Sequence, residues 1–431
     1  MRATNLTLLT DLYELTMMQG YFKNPTNQTV IFDMFYRVNP CGGSFAITAG
    51  LEQMIEYIEN LHFTDDDIEY LRSLHIFEDD FLEYLRSFKF TGDIYAIPEG
   101  TVVFPREPLV KVIAPIMEAQ LVETAILNII NHQSLIATKA ARVCYAARGD
   151  GIMEFGLRRA QGPDAGIYGA RAAVIGGCAG TSNVLTGQMF NVPVLGTHAH
   201  SWIMSFPDEL TAFRTYAKMY PDACILLVDT YDTLKSGVPH AIQVFKEMRD
   251  AGITSKLMGI RLDSGDIAYL SKKARKMLDE AGFTNAIISA SSDLDEYLIN
   301  SLKTQGCTVT SWGVGTNLIT SSDNPAFGGV YKLAAIKKPG DKEFTAKIKI
   351  SENPEKITNP GNKTVYRIYD KESSKIKADL ICLVGETFDP SEDLKIFDPI
   401  STWKKSILPA GSYQIREMLV PIFLNGQCVY S

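Results

Sequence analysis

The chain has 431 residues, 46% apolar and 21% charged, with a net charge of −8; this is an ordinary globular composition, which excludes low-complexity disorder for the bulk of the chain. Roughly 100–200 residues per domain allows two to four domains. The acidic balance argues against nucleic-acid or membrane-surface binding by bulk charge. No apolar run reaches the ~18 residues of a membrane span, and Met1–Tyr21 lacks a secretory signal, so a cytoplasmic location is expected.

In the first hundred residues, Met17–Tyr21, Leu51–Leu61 and Ile68–Phe88 have helical spacing, and Val30–Tyr36 alternates like a strand. Asn39–Gly43 reads as a turn or flexible loop. Ile94–Ala114 reads as short strands punctuated by Pro98, Pro105 and Pro108. Pro115–Arg148 reads as one long helix, with Pro115 at its first position and Glu118 in its first turn, ended by Gly149-Asp150-Gly151.

A rhythm follows. Apolar runs at Ile152–Leu157, Val192–Gly196, Ala223–Val228, Lys256–Leu262, Ala286–Ala290 and Cys307–Trp312 alternate with helical stretches at Gly166–Gly176, Asp208–Met219, Pro239–Ala251, Asp266–Ala281 and Asp293–Gln305. Strand–helix alternation at this pitch predicts βαβ units and a parallel sheet. Six runs in a row favour a closed or nearly closed α/β barrel over an open doubly wound sheet, although periodicity does not separate the two. Beyond Gly329 the chain becomes Lys-rich and β-rich, with strands expected at Phe344–Ile350 and Thr364–Tyr369 and turns at Pro339-Gly340 and Pro360-Gly361. The expected segments are 1–115, 116–330 (the barrel) and 331–431, the last returning to the first. The seven cysteines are odd in number and include no Cys-x-x-Cys pair, which favours free thiols over a disulfide framework or a structural zinc site.

Each apolar run ends in a polar or Gly-rich cluster: Arg158-Arg159, His198-Ala199-His200, Asp229–Asp232, Arg261–Gly265, Ser291-Ser292-Asp293 and Gly313–Asn317. Barrels carry their chemistry at the carboxyl ends of the strands, so these clusters predict one composite pocket. The loops Gly313–Asn317 and Ser291–Asp293 follow the last two runs, where barrels commonly hold a phosphate. Taken singly, the first reads better as a tight turn, and Ser292 with Asp295 as a capping box; together, on adjacent strands, they favour a monophosphate. Arg261 and Asp263 share a face at i, i+2; they suit an anion beside sugar hydroxyls or Mg²⁺, or form an ion pair within the loop. Phe155 offers a ring for a flat ligand whose carboxylate meets Arg158, or else belongs to the core. His198 and His200 suit acid–base or nucleophilic work, or a metal whose third ligand is not apparent.

The segments Thr10–Glu14, Glu154–Gly162, Gly180–Asn183, Gly196–Ser201 and Gly259–Gly265, taken in order, closely resemble the nicotinate phosphoribosyltransferase family, and the likeness runs from Leu9 to about Tyr430. The resemblance implies a type II phosphoribosyltransferase fold: an irregular, TIM-like α/β barrel plus an α/β sandwich domain formed from the N- and C-terminal segments. It also implies an ATP-dependent enzyme of the ligase class, converting nicotinate and PRPP to nicotinate mononucleotide and pyrophosphate with ATP as co-substrate, Mg²⁺ as cofactor and unidentified metal ligands. Carried over residue by residue, Phe155 stacks on the pyridine ring, with Tyr13 reaching in from the other subunit of a homodimer. Arg158 and Arg261 surround the nicotinate carboxylate and the pyrophosphate, and Asp263 holds the ribose hydroxyls. Ser291, Ser292, Gly313, Gly315 and Thr316 cradle the 5′-phosphate, Arg37 reaches the phosphates across the dimer, and His200 is the histidine that ATP phosphorylates. The related nicotinamide enzyme has Asp where this chain has Ser182; removing that carboxylate favours nicotinate. A nicotinamide-specific transferase and a non-catalytic nucleotide-binding protein of the same fold are the alternatives. Many members continue past the equivalent of Ser431 with a helical tail.

Overall fold

A computed structural model of the chain describes residues 5–25, 27–350, 352, 356–398 and 401–430. Two compact units emerge: Met1–Ser134 with Ala326–Ser431, and Leu135–Pro325.

The first unit is built from both ends of the chain. Its seven-stranded sheet runs, edge to edge, Thr345–Ala346, Gly329–Lys337, Thr29–Tyr36, Val110–Pro115, Asp93–Ala96, Val420–Leu424 and Gln427–Cys428, every pairing antiparallel. Helices Leu51–Glu59, Asp65–Ser73 and Asp79–Arg86 bury apolar stripes in the same core as the sheet, with Met54, Ile68, Phe81 and Leu82 fully buried against Val30, Met34 and Val112. This is the sandwich expected from the resemblance. A second, three-stranded antiparallel sheet joins Lys363–Asp370 to Ile376–Leu383 and Tyr413–Glu417.

The second unit is an α/β half-barrel. Its parallel strands are β1 (Gly151–Glu154), β2 (Gly180–Thr181), β3 (Ala223–Leu227), β4 (Leu257–Leu262), β5 (Ile287–Ala290) and β6 (Ser311–Val314). Their order in the sheet is β2-β1-β6-β5-β4-β3. That is the cyclic order of a barrel, interrupted between β2 and β3. Helices Pro163–Ile175, Glu209–Met219, Val238–Asp250, Ile267–Glu280 and Glu296–Thr304 fill the crossovers, and Asp208, Asp266 and Asp295 each cap a helix through a side-chain oxygen.

Four expectations are corrected. The run Val192–Gly196 forms no strand; it contributes one parallel bridge, Thr181 to Val194, and the ladder uses the two-residue β2 instead. The final run is displaced: β6 is Ser311–Val314, so Gly313 is a ladder residue opposite Met153 rather than a loop residue. Pro115 closes a strand, and the expected long helix divides into Ile116–Leu121 and Glu123–Ala146. The division has a long-range cause, because the Thr124 N–H donates to Glu14 Oε1 (3.0 Å) on another helix and so caps a new helix start. Ser292 is not a cap; Asp295 takes that role by accepting from Leu298 N.

Candidate functional site

β4 ends in Arg261-Leu262 and is followed by Asp263. Residues two apart on extended chain share a face, and the two charges meet, Arg261 Nη2 donating to Asp263 Oδ1 at 3.0 Å. The pair is more than a local ion pair. Arg261 Nε donates to Ser291 Oγ at the end of β5 (2.9 Å), and Nη1 donates to Thr197 Oγ1 in the segment between β2 and β3 (2.9 Å). The Ser291 hydroxyl in turn donates to Asp263 Oδ1. One guanidinium therefore gathers three neighbouring segments of the half-barrel, using the planar fork that lysine lacks. Its carbon lies 5.8 Å from the centre of the Phe155 ring, within reach of a cation–π contact.

Phe155 is the first residue past β1, held by its N–H to Val314 O (2.8 Å). The ring is half-buried. Space for it comes from Gly313 on neighbouring β6, where a Cβ would fall 2.6 Å from a ring carbon. Gly313 thus has a steric duty that its assignment to a phosphate loop did not anticipate.

His200 opens a short helix. Its Nδ1 lies 3.1 Å from Thr230 Oγ1, and its Nε2 faces two carboxylates, Asp263 Oδ2 at 3.6 Å and Asp229 Oδ1 at 4.0 Å. Asp229 is nearly inaccessible. Its Oδ2 accepts from Asp263 N (2.8 Å) and Ser264 Oγ (2.6 Å), whereas its Oδ1 is buried with no hydrogen-bond partner among the described residues. Burial pushes the Asp263 carboxyl up, but the Ser291 hydroxyl and the Arg261 charge outweigh it and hold the group below its ordinary value. His198 differs from His200. It is buried against Tyr216, with ring centres 4.6 Å apart, accepts at Nε2 from Leu227 N (3.4 Å), and is pushed down to about 4, chiefly by burial. It is therefore neutral at pH 7, and the two histidines engage different groups. No cluster of three or more metal-ligating side chains occurs among the described residues.

The two expected phosphate loops are neighbours. Asn317 Nδ2 donates to Asp293 O (2.9 Å) and Leu294 O (3.3 Å), tying the turn after β6 to the turn after β5. Gly315 and Thr316 begin the helix Thr316–Ile319, and Ser292 is exposed with φ at 95°. Ser182 follows β2, half-buried, with its N–H on Glu154 O (3.0 Å). Arg158 is exposed in the 3₁₀ turn Leu157–Arg159, and no hydrogen bond or ion pair joins it to Arg261 or His200. Tyr13 and Arg37 belong to the other unit. Tyr13 is exposed on helix Leu12–Lys23, and Arg37 follows strand Thr29–Tyr36, its guanidinium carbon 5.8 Å from the centre of the Phe35 ring.

Sequence reasoning missed the roles of Thr197, Thr230 and Glu154. The signal was available for Thr197, which lies inside the Gly196–Ser201 motif. For Thr230 nothing in the spacing marked a partner of His200.

Family models described as the nicotinate phosphoribosyltransferase N-terminal domain, the nicotinate phosphoribosyltransferase family and the C-terminal domain match residues 8–131, 151–373 and 362–431. A nicotinate phosphoribosyltransferase of Bacillus subtilis is 52% identical over 427 residues, which cover 99% of this chain and 86% of that protein. The human nicotinate phosphoribosyltransferase is 32% identical over 485 residues, covering 99% of this chain and 88% of that one. The crystal structure of human nicotinic acid phosphoribosyltransferase superposes with a TM-score of 0.82 at 28% identity, covering 98% of this chain and 90% of that chain.

Proposed function

The chain belongs to the nicotinate phosphoribosyltransferase family, and from that premise we propose that it joins nicotinate to the ribose of PRPP, giving nicotinate mononucleotide and pyrophosphate with ATP as co-substrate. The observation that carries the reading is the meeting of Phe155, Arg261, Asp263, Ser291 and His200 at the carboxyl ends of neighbouring strands.

In the reaction, the C1–O bond of PRPP breaks and its electron pair leaves with pyrophosphate. The pyridine nitrogen forms the new bond to C1 with its own lone pair. The nucleophile needs no deprotonation, so the protein's work is orientation and charge stabilisation. Phe155 stacks on the pyridine and Arg261 offers its charge to the anion beside it. Asp263, kept ionised by Arg261 and Ser291, accepts from the ribose hydroxyls. The loops Ser291–Asp293 and Gly315–Thr316, tied through Asn317, hold the 5′-phosphate, with Gly313 making room for the ring. Arg158 supplies further positive charge to the carboxylate and phosphates, and Arg37 does so across the proposed dimer.

Asp229 and Asp263 are hard oxygen donors, and the unpartnered Asp229 Oδ1 suits a cation. They fit Mg²⁺, with the remaining ligands coming from substrate phosphate and water, as Mg²⁺ usually takes them. Its chemistry there would be neutralisation of charge on pyrophosphate. Thr230 holds Nδ1 of His200, which leaves Nε2 to attack the terminal phosphorus of ATP and release ADP; water later returns the phosphoryl group as phosphate. The phosphohistidine would add roughly two negative charges, an estimate from phosphorylated side chains, beside two carboxylates, and so reorganise the site between turnovers.

A homodimer with shared sites is part of the proposal. It is supported by the exposed Tyr13 and by the exposed apolar Val184 and Leu185 of helix Val184–Phe190, and a monomer in sedimentation equilibrium would remove it. The segments 1–115, 116–330 and 331–431 remain the proposed division of labour, with the middle one catalytic.

Base choice tests the function. With PRPP, ATP and equal nicotinate and nicotinamide, the acid is converted in large excess, because Ser182 offers no carboxylate to repel it. Dominant conversion of the amide would refute the reading.

A further inference from the structure

We propose that Glu154 is a positioning residue that sets the spacing of the two base-contacting side chains, Phe155 and Ser182, and thereby the preference for the acid over the amide. This rests on the base-binding roles of Phe155 and Ser182 given above.

Glu154 ends β1 with none of its surface exposed. No Lys or Arg pairs with it among the described residues, which is a costly place for a carboxyl group. Both oxygens are instead used on neutral donors. Oε1 accepts from Gly156 N, and Oε2 accepts from Thr181 Oγ1 at 2.6 Å. The Glu154 carbonyl accepts from Ser182 N at 3.0 Å. Thr181 Oγ1 accepts from Asn183 N at 3.0 Å, and the Asn183 side chain goes on to cap helix Val184–Phe190.

The pattern is specific in sequence. Glu154 and Gly156 flank Phe155, and Thr181 and Asn183 flank Ser182. Each base-contacting residue is therefore bracketed by groups bonded directly, or through one hydroxyl, to the same carboxyl. β1 and β2 pair over only two residues, Met153 with Gly180 and Glu154 with Thr181, so the backbone ladder alone is short and the carboxyl supplies the missing constraint. Gly156 belongs to the arrangement, since a Cβ there would lie 2.8 Å from Glu154 Oε1 and 2.4 Å from Ile319 Cβ. Burial pushes the carboxyl up, against the pull of its two donors.

The test compares Glu154→Gln, Thr181→Val and Thr181→Ser with the unaltered full-length enzyme. Nicotinate KM, kcat, PRPP KM, the kcat/KM ratio of nicotinate to nicotinamide, and phosphorylation of His200 by ATP alone are measured. In Glu154→Gln the amide nitrogen cannot accept, and in Thr181→Val the hydroxyl is gone. Both are expected to raise nicotinate KM and lower the acid-to-amide ratio by about tenfold, the size of one lost hydrogen bond. PRPP KM and His200 phosphorylation stay within about twofold of the unaltered enzyme, and Thr181→Ser, which keeps the hydroxyl, restores the ratio. If Glu154→Gln does not fold, Thr181→Val carries the same prediction. An unchanged ratio in Thr181→Val, or a Thr181→Ser variant as impaired as Thr181→Val, overturns the proposal while leaving the function intact. An unaltered enzyme that makes no mononucleotide from nicotinate overturns the function itself.

Discussion

His200 is held at one nitrogen by a hydroxyl and presents the other to two carboxylates, which suits the phosphoryl-accepting role proposed for it. His200→Ala is expected to abolish ATP-stimulated turnover and leave a weak ATP-independent reaction, read as mononucleotide formed with and without ATP; full stimulation in the variant contradicts the coupling. Gly313→Ala tests the seat of Phe155. The added methyl collides with the ring, so nicotinate KM should rise at least about tenfold, with stability lowered by about 1–3 kcal/mol as in other overpacked sites, read from denaturant midpoints. A variant with unchanged KM would show that the ring position does not matter. At this scale the Arg261–Asp263 pair was legible, because i, i+2 on a strand end has one geometric outcome. Arg261's reach to Thr197 was not, since it joins residues 64 apart and depends on how the segment between β2 and β3 folds back.

Helices were legible where local chemistry starts them, as the N-caps Asp208, Asp266 and Asp295 do. Strands were legible where four or more apolar residues recur. β2 is two residues long and carries no period, and its place was given to the more apolar Val192–Gly196. The break before Glu123 is also long-range, since the cap comes from Glu14 on another helix. That cap makes a pH prediction. Burial pushes Glu14 up from 4.5 to about 8, while the Thr124 bonds pull the other way. The folded protein then keeps a proton that the unfolded chain loses near 4.5, so stability present below pH 4.5 is lost as pH rises through about 8. Glu14→Gln does not titrate. The unfolding free energy of the native chain minus that of Glu14→Gln should fall between pH 4.5 and 8, and a flat difference contradicts the assignment.

The architecture as a whole was legible in two features. Composition changes after Gly329 and the strand–helix rhythm begins near Ile152, and these mark a barrel segment between two parts that share one sheet. What stayed hidden was the interruption between β2 and β3, because closure is decided by hydrogen bonds between segments distant in sequence and not by apolar periodicity. The interruption is also where Thr197 enters to meet Arg261, so the irregularity of the fold and the assembly of its site coincide. The most direct measurement is therefore mononucleotide formation from nicotinate, PRPP and ATP by the unaltered protein and by Arg261→Ala, with circular dichroism to confirm that both are folded. Nicotinate mononucleotide and pyrophosphate are expected in equal amounts from the unaltered protein, with at least about a hundredfold loss of kcat/KM in the variant, since three anchored contacts and one charge go together. A folded unaltered protein that forms no mononucleotide, or a variant that retains full activity, would contradict it.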